Sequence, residues 1–216
     1  MLLMKEQTAN TKVSWVLLPI LGAALFIIFF IVASLLYPGG SQADKNSVGF
    51  SWANNYWCNL INETAVNGQH NSARPVAMTG MFVLCCTLAL FWYNFPKYIG
   101  FKKGVRLTIQ ISGIFAMAIA MLISSAALHD IVLDVASILA VIAFAGTFMG
   151  LYRMKWHKLL WFGVFNMLLA GLNNYVYYTK DLIAYLPVVQ KTTFTSFLLL
   201  ICCICIKLYR QQNKIA

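Results

Sequence analysis

The sequence is poor in charged residues, and acidic residues are the scarcest of all. Only 10% of its 216 residues are charged, with six Asp or Glu against sixteen Lys or Arg. A soluble domain carries charged residues at about a quarter of its positions, whereas 61% of this chain is hydrophobic. The deficit excludes an ordinary water-soluble domain and indicates a chain that resides in a lipid bilayer.

Several chemical motifs are also missing. The chain has no nucleotide-phosphate loop and no His-Glu-x-x-His zinc motif. A zinc site with three histidine ligands would need all three histidines of the chain. The topology derived below separates His157 from His70 and His129, so it excludes such a site. A mixed site of His70, His129 and Asp130 or Asp134 stays open on spacing alone. We expect no metal and no cofactor.

Six cysteines do not change this expectation. Five of them fall inside hydrophobic segments, where a thiol behaves as a small apolar group: Cys85, Cys86, Cys202, Cys203 and Cys205. The sixth, Cys58, lies in the one long loop and has no second cysteine beside it. We therefore predict packing roles for the cysteines and no structural disulfide.

Long hydrophobic runs dominate what is present. A membrane-spanning helix needs about 20 apolar residues, and the stretch from Leu107 to Tyr152 would measure about 69 Å as one helix. That stretch must fold back, and the polar step at Leu128-His129-Asp130 is the hinge. The result is an all-α, multi-pass bundle of six transmembrane helices in a single membrane domain, with predicted spans at 14–37, 75–95, 105–127, 131–152, 157–178 and 186–208.

The basic residues predict the orientation of this bundle. Lys and Arg concentrate in cytoplasmic loops, and placing both termini inside puts twelve basic residues on the inner side and four on the outer side. The four are Lys45, Arg74, Lys180 and Lys191. Because the basic residues are scattered over short segments, they form no stripe for a phosphate backbone, and we expect no nucleic-acid partner.

The outer segment 38–74 is the only long loop. Within it, Ser51 could cap a short helix from Trp52 to Ile61, with aromatic and aliphatic residues on one side and asparagines on the other. This pattern predicts a helix lying in the outer membrane interface. The alternative is a lid over a pocket, since long ordered loops often carry binding sites.

Polar residues inside the spans gather in the outer half of the bundle. Such residues normally face the bundle interior or a cavity, so we expect a polar cavity that opens outward. The ligand-binding candidates are intramembrane polar residues together with aromatic residues of the outer helix: Asp134, Asn166, Asn173, Lys191, Trp52 and Tyr56.

Two charged residues sharpen this expectation. Asp134 and Lys191 each lie about one turn below the outer boundary, where an unpaired charge is costly. We predict that Asp134, or failing that Asp130, pairs with Lys191. The alternative is structural, because Asp130 can cap the fourth helix and Ser and Thr often pack between membrane helices.

A catalytic arrangement is the second hypothesis for the same region. Ser125 and His129 are four residues apart and share a helix face, which admits a Ser-His-Asp nucleophile with Asp130 or Asp134. The catalytic candidates are therefore Ser125, His129, Asp130 and Asp134.

Short motifs at the span boundaries carry a family resemblance. Tyr37-Pro38-Gly39-Gly40-Ser41 leaves the first span, Arg74-Pro75 begins the second, and His129-Asp130 marks the tight outer turn. With six spans, this pattern resembles bacterial membrane proteins grouped as a domain of unknown function, and is distantly similar to the DRAM and Frag-type group. The resemblance implies a six-helix membrane bundle and carries over no catalytic residues.

The leading expectation is a multi-pass protein of the bacterial inner membrane, with both termini cytoplasmic, that binds a lipid or other amphiphile in an outer cavity. One alternative is a membrane lipid hydrolase or transferase using Ser125, His129 and Asp130 or Asp134. Another is an accessory subunit that docks on a larger membrane complex. The expected partners are membrane lipids and, in the last case, other membrane proteins.

Overall fold

A computed structural model describes residues 2–121 and 129–213, with side chains from residue 15 onward except at positions 129, 130, 132 and 133. The described residues form α-helices and no strand. The helices are α1 (Leu2–Leu36), α2 (Arg74–Tyr98), α3 (Lys103–Ala120), α4 (His129–Arg153), α5 (His157–Tyr178) and α6 (Leu186–Gln212). Short 3-10 helices cover Trp57–Leu60 and Lys180–Tyr185.

All six helices are long and apolar enough to cross a membrane, which confirms the six predicted segments. The first helix is longer than predicted, because α1 already begins at Leu2. The predicted hinge residue Leu128 lies outside the described residues, and α4 begins directly after it at His129.

Proline and glycine set the helix boundaries. Pro75 and Pro187 lie in the first turns of α2 and α6, where the absent N–H has no intrahelical partner to lose. After α1, Gly39 and Gly40 both have positive φ. A Cβ at Gly40 would overlap the backbone of Asn67, so this turn requires glycine.

The helices pack as a ring in chain order, and α1 closes the ring against α6. Among the described residues, α4 and α5 make the least extensive contact of any two consecutive helices. The loop of residues 37–73 joins α1 to α2 at one end of the bundle, which we call the loop end. The turns between α2 and α3 and between α4 and α5 lie at the opposite end.

Glycines allow several helices to approach closely, as is common between membrane helices. A Cβ at Gly113 of α3 would overlap the Trp92 ring of α2, and one at Gly163 of α5 would overlap the Phe148 ring of α4. In the core, large aromatic rings therefore occupy the space that a side chain would fill at these glycines.

The predicted amphipathic helix from Trp52 to Ile61 is wrong. The structure has only the four-residue 3-10 helix Trp57–Leu60 there. The asparagines do not face outward as the pattern predicted: Asn55 and Asn59 are buried, whereas Trp52 is 47% exposed. The amide side chains bond to the loop backbone instead, which stabilises a folded loop in place of a regular helix.

Two glycines of α3 provide a matched test of this packing. Gly113→Ala should lower the apparent melting temperature in detergent by several degrees, because overpacking against Trp92 costs about 1–3 kcal/mol. Gly104→Ala should leave it unchanged or raise it, because nothing lies within 4 Å of its Cβ position and alanine favours a helix by about 0.5–1 kcal/mol. Equal melting temperatures for the two variants would contradict the α2–α3 packing described here.

Candidate functional site

Lys191 is the centre of the candidate site. It lies in the second turn of α6, and only 9% of the residue is exposed. Its Nζ donates a hydrogen bond of 2.5 Å to the backbone oxygen of Asn55. The contact joins α6 to the loop across 136 residues of sequence, so one buried ammonium connects this helix to the loop.

Buried amides hold this part of the loop in place. The Nδ2 of Asn55 donates to the Gly40 backbone oxygen at 2.9 Å, and its Oδ1 accepts from the Ser51 backbone N–H at 2.8 Å. The Oδ1 of Asn59 accepts a hydrogen bond from the Tyr56 backbone N–H at 2.7 Å. The carbonyl that Lys191 contacts therefore belongs to a segment fixed on both sides.

Asn71 ties the far side of the loop to the same segment. It is fully buried, and its Nδ2 donates to the backbone oxygens of Asn59 at 2.9 Å and Asn62 at 2.8 Å. Its Oδ1 accepts from the Ala73 backbone N–H at 3.1 Å, just before α2 begins. Asn71 thus couples the 3-10 helix to the start of α2.

A second contact with α6 seats the 3-10 helix on the bundle. The backbone N–H of Trp57 donates to Oε1 of Gln190 at 3.3 Å. The Trp57 ring lies edge-on to Phe26, Phe30 and Phe194, with ring centroids 5.4 to 5.5 Å apart. This aromatic cluster fills the bundle below the loop and fixes the height of Lys191 relative to the loop.

An open groove of about 520 Å³ runs down one face of α6 beside Lys191. Its α6 residues recur at i, i+3, i+4, i+7, i+8 and i+11, which places them on one side of the helix. The loop contributes two tryptophans and α5 one phenylalanine. The lining residues are Trp52, Trp57, Phe162, Val188, Lys191, Thr192, Thr195, Ser196 and Leu199.

The groove changes in polarity along its length. Lys191 and the hydroxyls of Thr192, Thr195 and Ser196 line its upper and middle parts beside the apolar side chains of Val188, Trp52 and Trp57, whereas Phe162 and Leu199 line its deep end. From Val188 to Leu199 the groove extends about 16 Å along the helix, which is about half of a bilayer's hydrocarbon thickness. All of the polar groups lie above a purely apolar deep end, which matches a molecule with a polar head and an apolar tail.

The structure brings two of the six predicted ligand-binding residues, Trp52 and Lys191, into this groove. It places Asn166 and Asn173 on α5, seven residues apart and hence on one face, but neither lines the groove. Their Oδ1 atoms are buried without a hydrogen-bond partner among the described residues. They form a separate polar line inside the bundle.

The predicted ion pair between Asp134 and Lys191 is wrong, and the alternative pair with Asp130 depends on a side chain outside the described ones. Asp134 is exposed on α4, and at 100° per residue it lies half a turn around that helix from the buried Ala143. The ion pair among the described side chains joins Arg74 to Glu63 at 3.8 Å. The loop was predicted to form a separate helix from Trp52 to Ile61. It instead packs onto α6, and this brings the Asn55 backbone oxygen to Lys191.

Tyr56 lies in the loop near Cys58 and Tyr177 rather than in the groove. Burial raises the pKa of the Tyr56 phenol, and the two neighbours add to that effect. Burial also raises the pKa of the Cys58 thiol to about 11, although Gln190 and Lys191 oppose this shift. Cys58 therefore stays protonated at neutral pH and is a poor nucleophile.

Three of the four catalytic candidates have side chains outside the described part of the chain. Ser125 lies outside the described residues, and the side chains of His129 and Asp130 do as well. Of the four candidates, only Asp134 has a described side chain, so the Ser-His-Asp hypothesis stays a prediction. Among the described residues, no three His, Cys, Asp or Glu side chains come together as metal ligands, and all six cysteines are free.

Comparisons with known proteins found no relative of this chain. No family model matches the chain, and no curated protein or solved structure matches it significantly. The resemblance drawn from the short boundary motifs therefore stays a prediction, and the candidate site is defined by its own residues.

The asparagine network can be tested at Asn71. Asn71→Ala would leave buried backbone groups without partners, each costing about 1–3 kcal/mol, and should make the loop sensitive to limited proteolysis at temperatures where the wild type resists. The matched control is Asn46→Ala, because Asn46 is exposed. Protease resistance of Asn71→Ala equal to that of the control would show that the network does not hold the loop.

Proposed function

We propose that this protein is a multi-pass protein of the bacterial inner membrane that binds a lipid or other amphiphile in the groove beside Lys191. The observation that carries the proposal is the groove itself. It combines a buried ammonium, three hydroxyls and a deep apolar end on the same side of α6. Ligand sites typically pair apolar walls with a few convergent polar groups, and a lipid has both parts.

We propose that both termini lie on the cytoplasmic side of the membrane. The end of the bundle opposite the loop is rich in basic residues, and three of them lie over aromatic rings: Lys97 over Tyr93, Arg153 over Phe101 and Lys207 over Trp156. Cationic and aromatic side chains of this kind anchor membrane proteins at the cytoplasmic interface. The groove then opens in the outer leaflet.

The exposure of the groove also favours a ligand from the bilayer. The groove is open along its side, and Val188 and Leu199 in its lining are 48% and 55% exposed. A hydrocarbon chain could therefore slide in laterally from the membrane without crossing water. A small polar solute would gain nothing from the apolar deep end.

The hydrolase or transferase and the accessory subunit are the alternatives predicted from the sequence. The enzyme would use Ser125, His129 and Asp130 or Asp134 around a lipid, and the subunit would dock through its outward helix faces. No contact between described residues favours either one, so we develop the binding function alone.

The orientation predicts an asymmetric labelling pattern. A membrane-impermeant maleimide should label Lys45→Cys in intact cells with a permeabilised outer membrane, whereas Lys103→Cys should react only after the inner membrane is opened. Both positions are exposed, and the wild-type protein reports the background from native cysteines. The reverse pattern would place the loop in the cytoplasm.

Filling the groove should remove the ligand. Leu199→Trp adds bulk at the deep end, so phospholipid that stays bound to the detergent-purified protein should fall about tenfold in native mass spectrometry, equivalent to about 1.4 kcal/mol. Leu168→Trp is the matched control, because Leu168 of α5 is 68% exposed and lies outside the groove. If both variants retain lipid as the wild type does, lipid is not held in this groove.

A further inference from the structure

We infer that the groove selects amphiphiles whose head carries a net negative charge, and that the Lys191 ammonium is the group that selects them. This inference rests on the proposed lipid-binding function and adds the chemical class of the ligand. It commits to a lipid of the outer leaflet as the source of the anion.

The hydrogen-bonding capacity of Lys191 is the first argument. A lysine ammonium has three donors, and the described contact to the Asn55 oxygen uses one of them. A carbonyl oxygen satisfies a donor but does not neutralise a charge. A charge that is buried without a counter-ion is costly, and among the described side chains no carboxylate contacts Lys191. An anion in the groove would supply the remaining acceptors and the opposite charge.

The position of Lys191 on its helix is the second argument. The N-terminal end of a helix carries a positive partial charge, which favours anions and falls off within the first turn. Lys191 lies five residues after Leu186, where α6 begins. The ammonium therefore follows directly below the positive helix end, and both favour an anion at the top of the groove.

Depth is the third argument. The 27 residues of α6 span about 40 Å, close to the full thickness of a bilayer with its headgroups. Lys191 lies about 7.5 Å below the loop end of this helix, near the boundary between the headgroups and the hydrocarbon, and its Nζ contacts the loop at Asn55. The hydroxyls of Thr195 and Ser196 follow about 6 to 7.5 Å deeper, and Leu199 follows at the level of the acyl chains.

The test measures lipid selectivity in the full-length protein. Delipidated protein in detergent is titrated with phosphatidylglycerol or with phosphatidylcholine of the same acyl chains, and native mass spectrometry counts the bound lipid. The wild type should bind phosphatidylglycerol about tenfold more tightly, a difference of about 1.4 kcal/mol. Lys191→Gln should lower phosphatidylglycerol binding to the phosphatidylcholine level, whereas Lys191→Arg should keep the preference.

Two further variants guard against a folding artefact, since Lys191 also holds the loop. Thr192→Glu places a negative charge on the groove face while leaving the Lys191–Asn55 contact intact, and it should abolish the preference by repulsion. Lys180→Gln removes an exposed cation outside the groove and should change nothing. A preference that survives Thr192→Glu would overturn the inference.

The remaining outcomes separate the two proposals. If the wild type binds both lipids with equal affinity, the anion selectivity is wrong and the lipid-binding function stands. If it binds neither, the proposed function itself fails. A further arm adds millimolar inorganic phosphate: competition as strong as that of phosphatidylglycerol would show that the site takes a free anion and would overturn the lipid headgroup as its source.

Discussion

One hydrogen bond, from the Lys191 ammonium to the Asn55 carbonyl, organises the loop end of this bundle. A buried lysine in an apolar helix needs a fixed acceptor, because an unpaired donor in apolar surroundings is expensive. The loop supplies that acceptor only when its own amides hold residue 55 in position, which Asn55 achieves through Gly40 and Ser51. The fold of the loop and the position of the Lys191 ammonium therefore depend on each other, and the groove lies beside their contact.

The rest of the bundle is built on shape rather than polarity. The glycines at 113 and 163 receive aromatic rings of neighbouring helices, and Trp57 fills the space between α1 and α6 with its edge-on contacts. Within a membrane, such packing replaces the hydrophobic drive that holds soluble cores together. Because Trp57 packs against Phe26 of α1 and Phe194 of α6, the polar groups at the top of α6 keep a defined position relative to the loop.

The number and approximate positions of the apolar helices could be predicted because hydrocarbon thickness dictates the length of each apolar run, although α1 extends back to Leu2. The loop could not, because the alternation of aromatics and asparagines between Trp52 and Ile61 is equally compatible with an amphipathic helix. Contacts between distant parts of the loop, such as the one from Nδ2 of Asn55 to the Gly40 oxygen, decide that the asparagines turn inward. Lys191 was predicted from its charge and depth, and Trp52 from the aromatic pattern of the loop. The partner of Lys191 was missed, because a backbone carbonyl leaves no signature in a sequence and Asp134 of similar depth offered a more visible charge. The role of Asn71 also had no signal beyond its position in a turn.

The sharing of one ammonium between loop and groove has a thermodynamic consequence. Two events that involve the same group are linked, and linkage is reciprocal: the factor by which a bound ligand tightens or loosens the loop is the factor by which the state of the loop changes ligand affinity. Residues 37–73 are therefore more than a cover above the helices. A change in the conformation of this segment would therefore alter the proposed groove through Lys191, even where the change itself lies far from the lining residues.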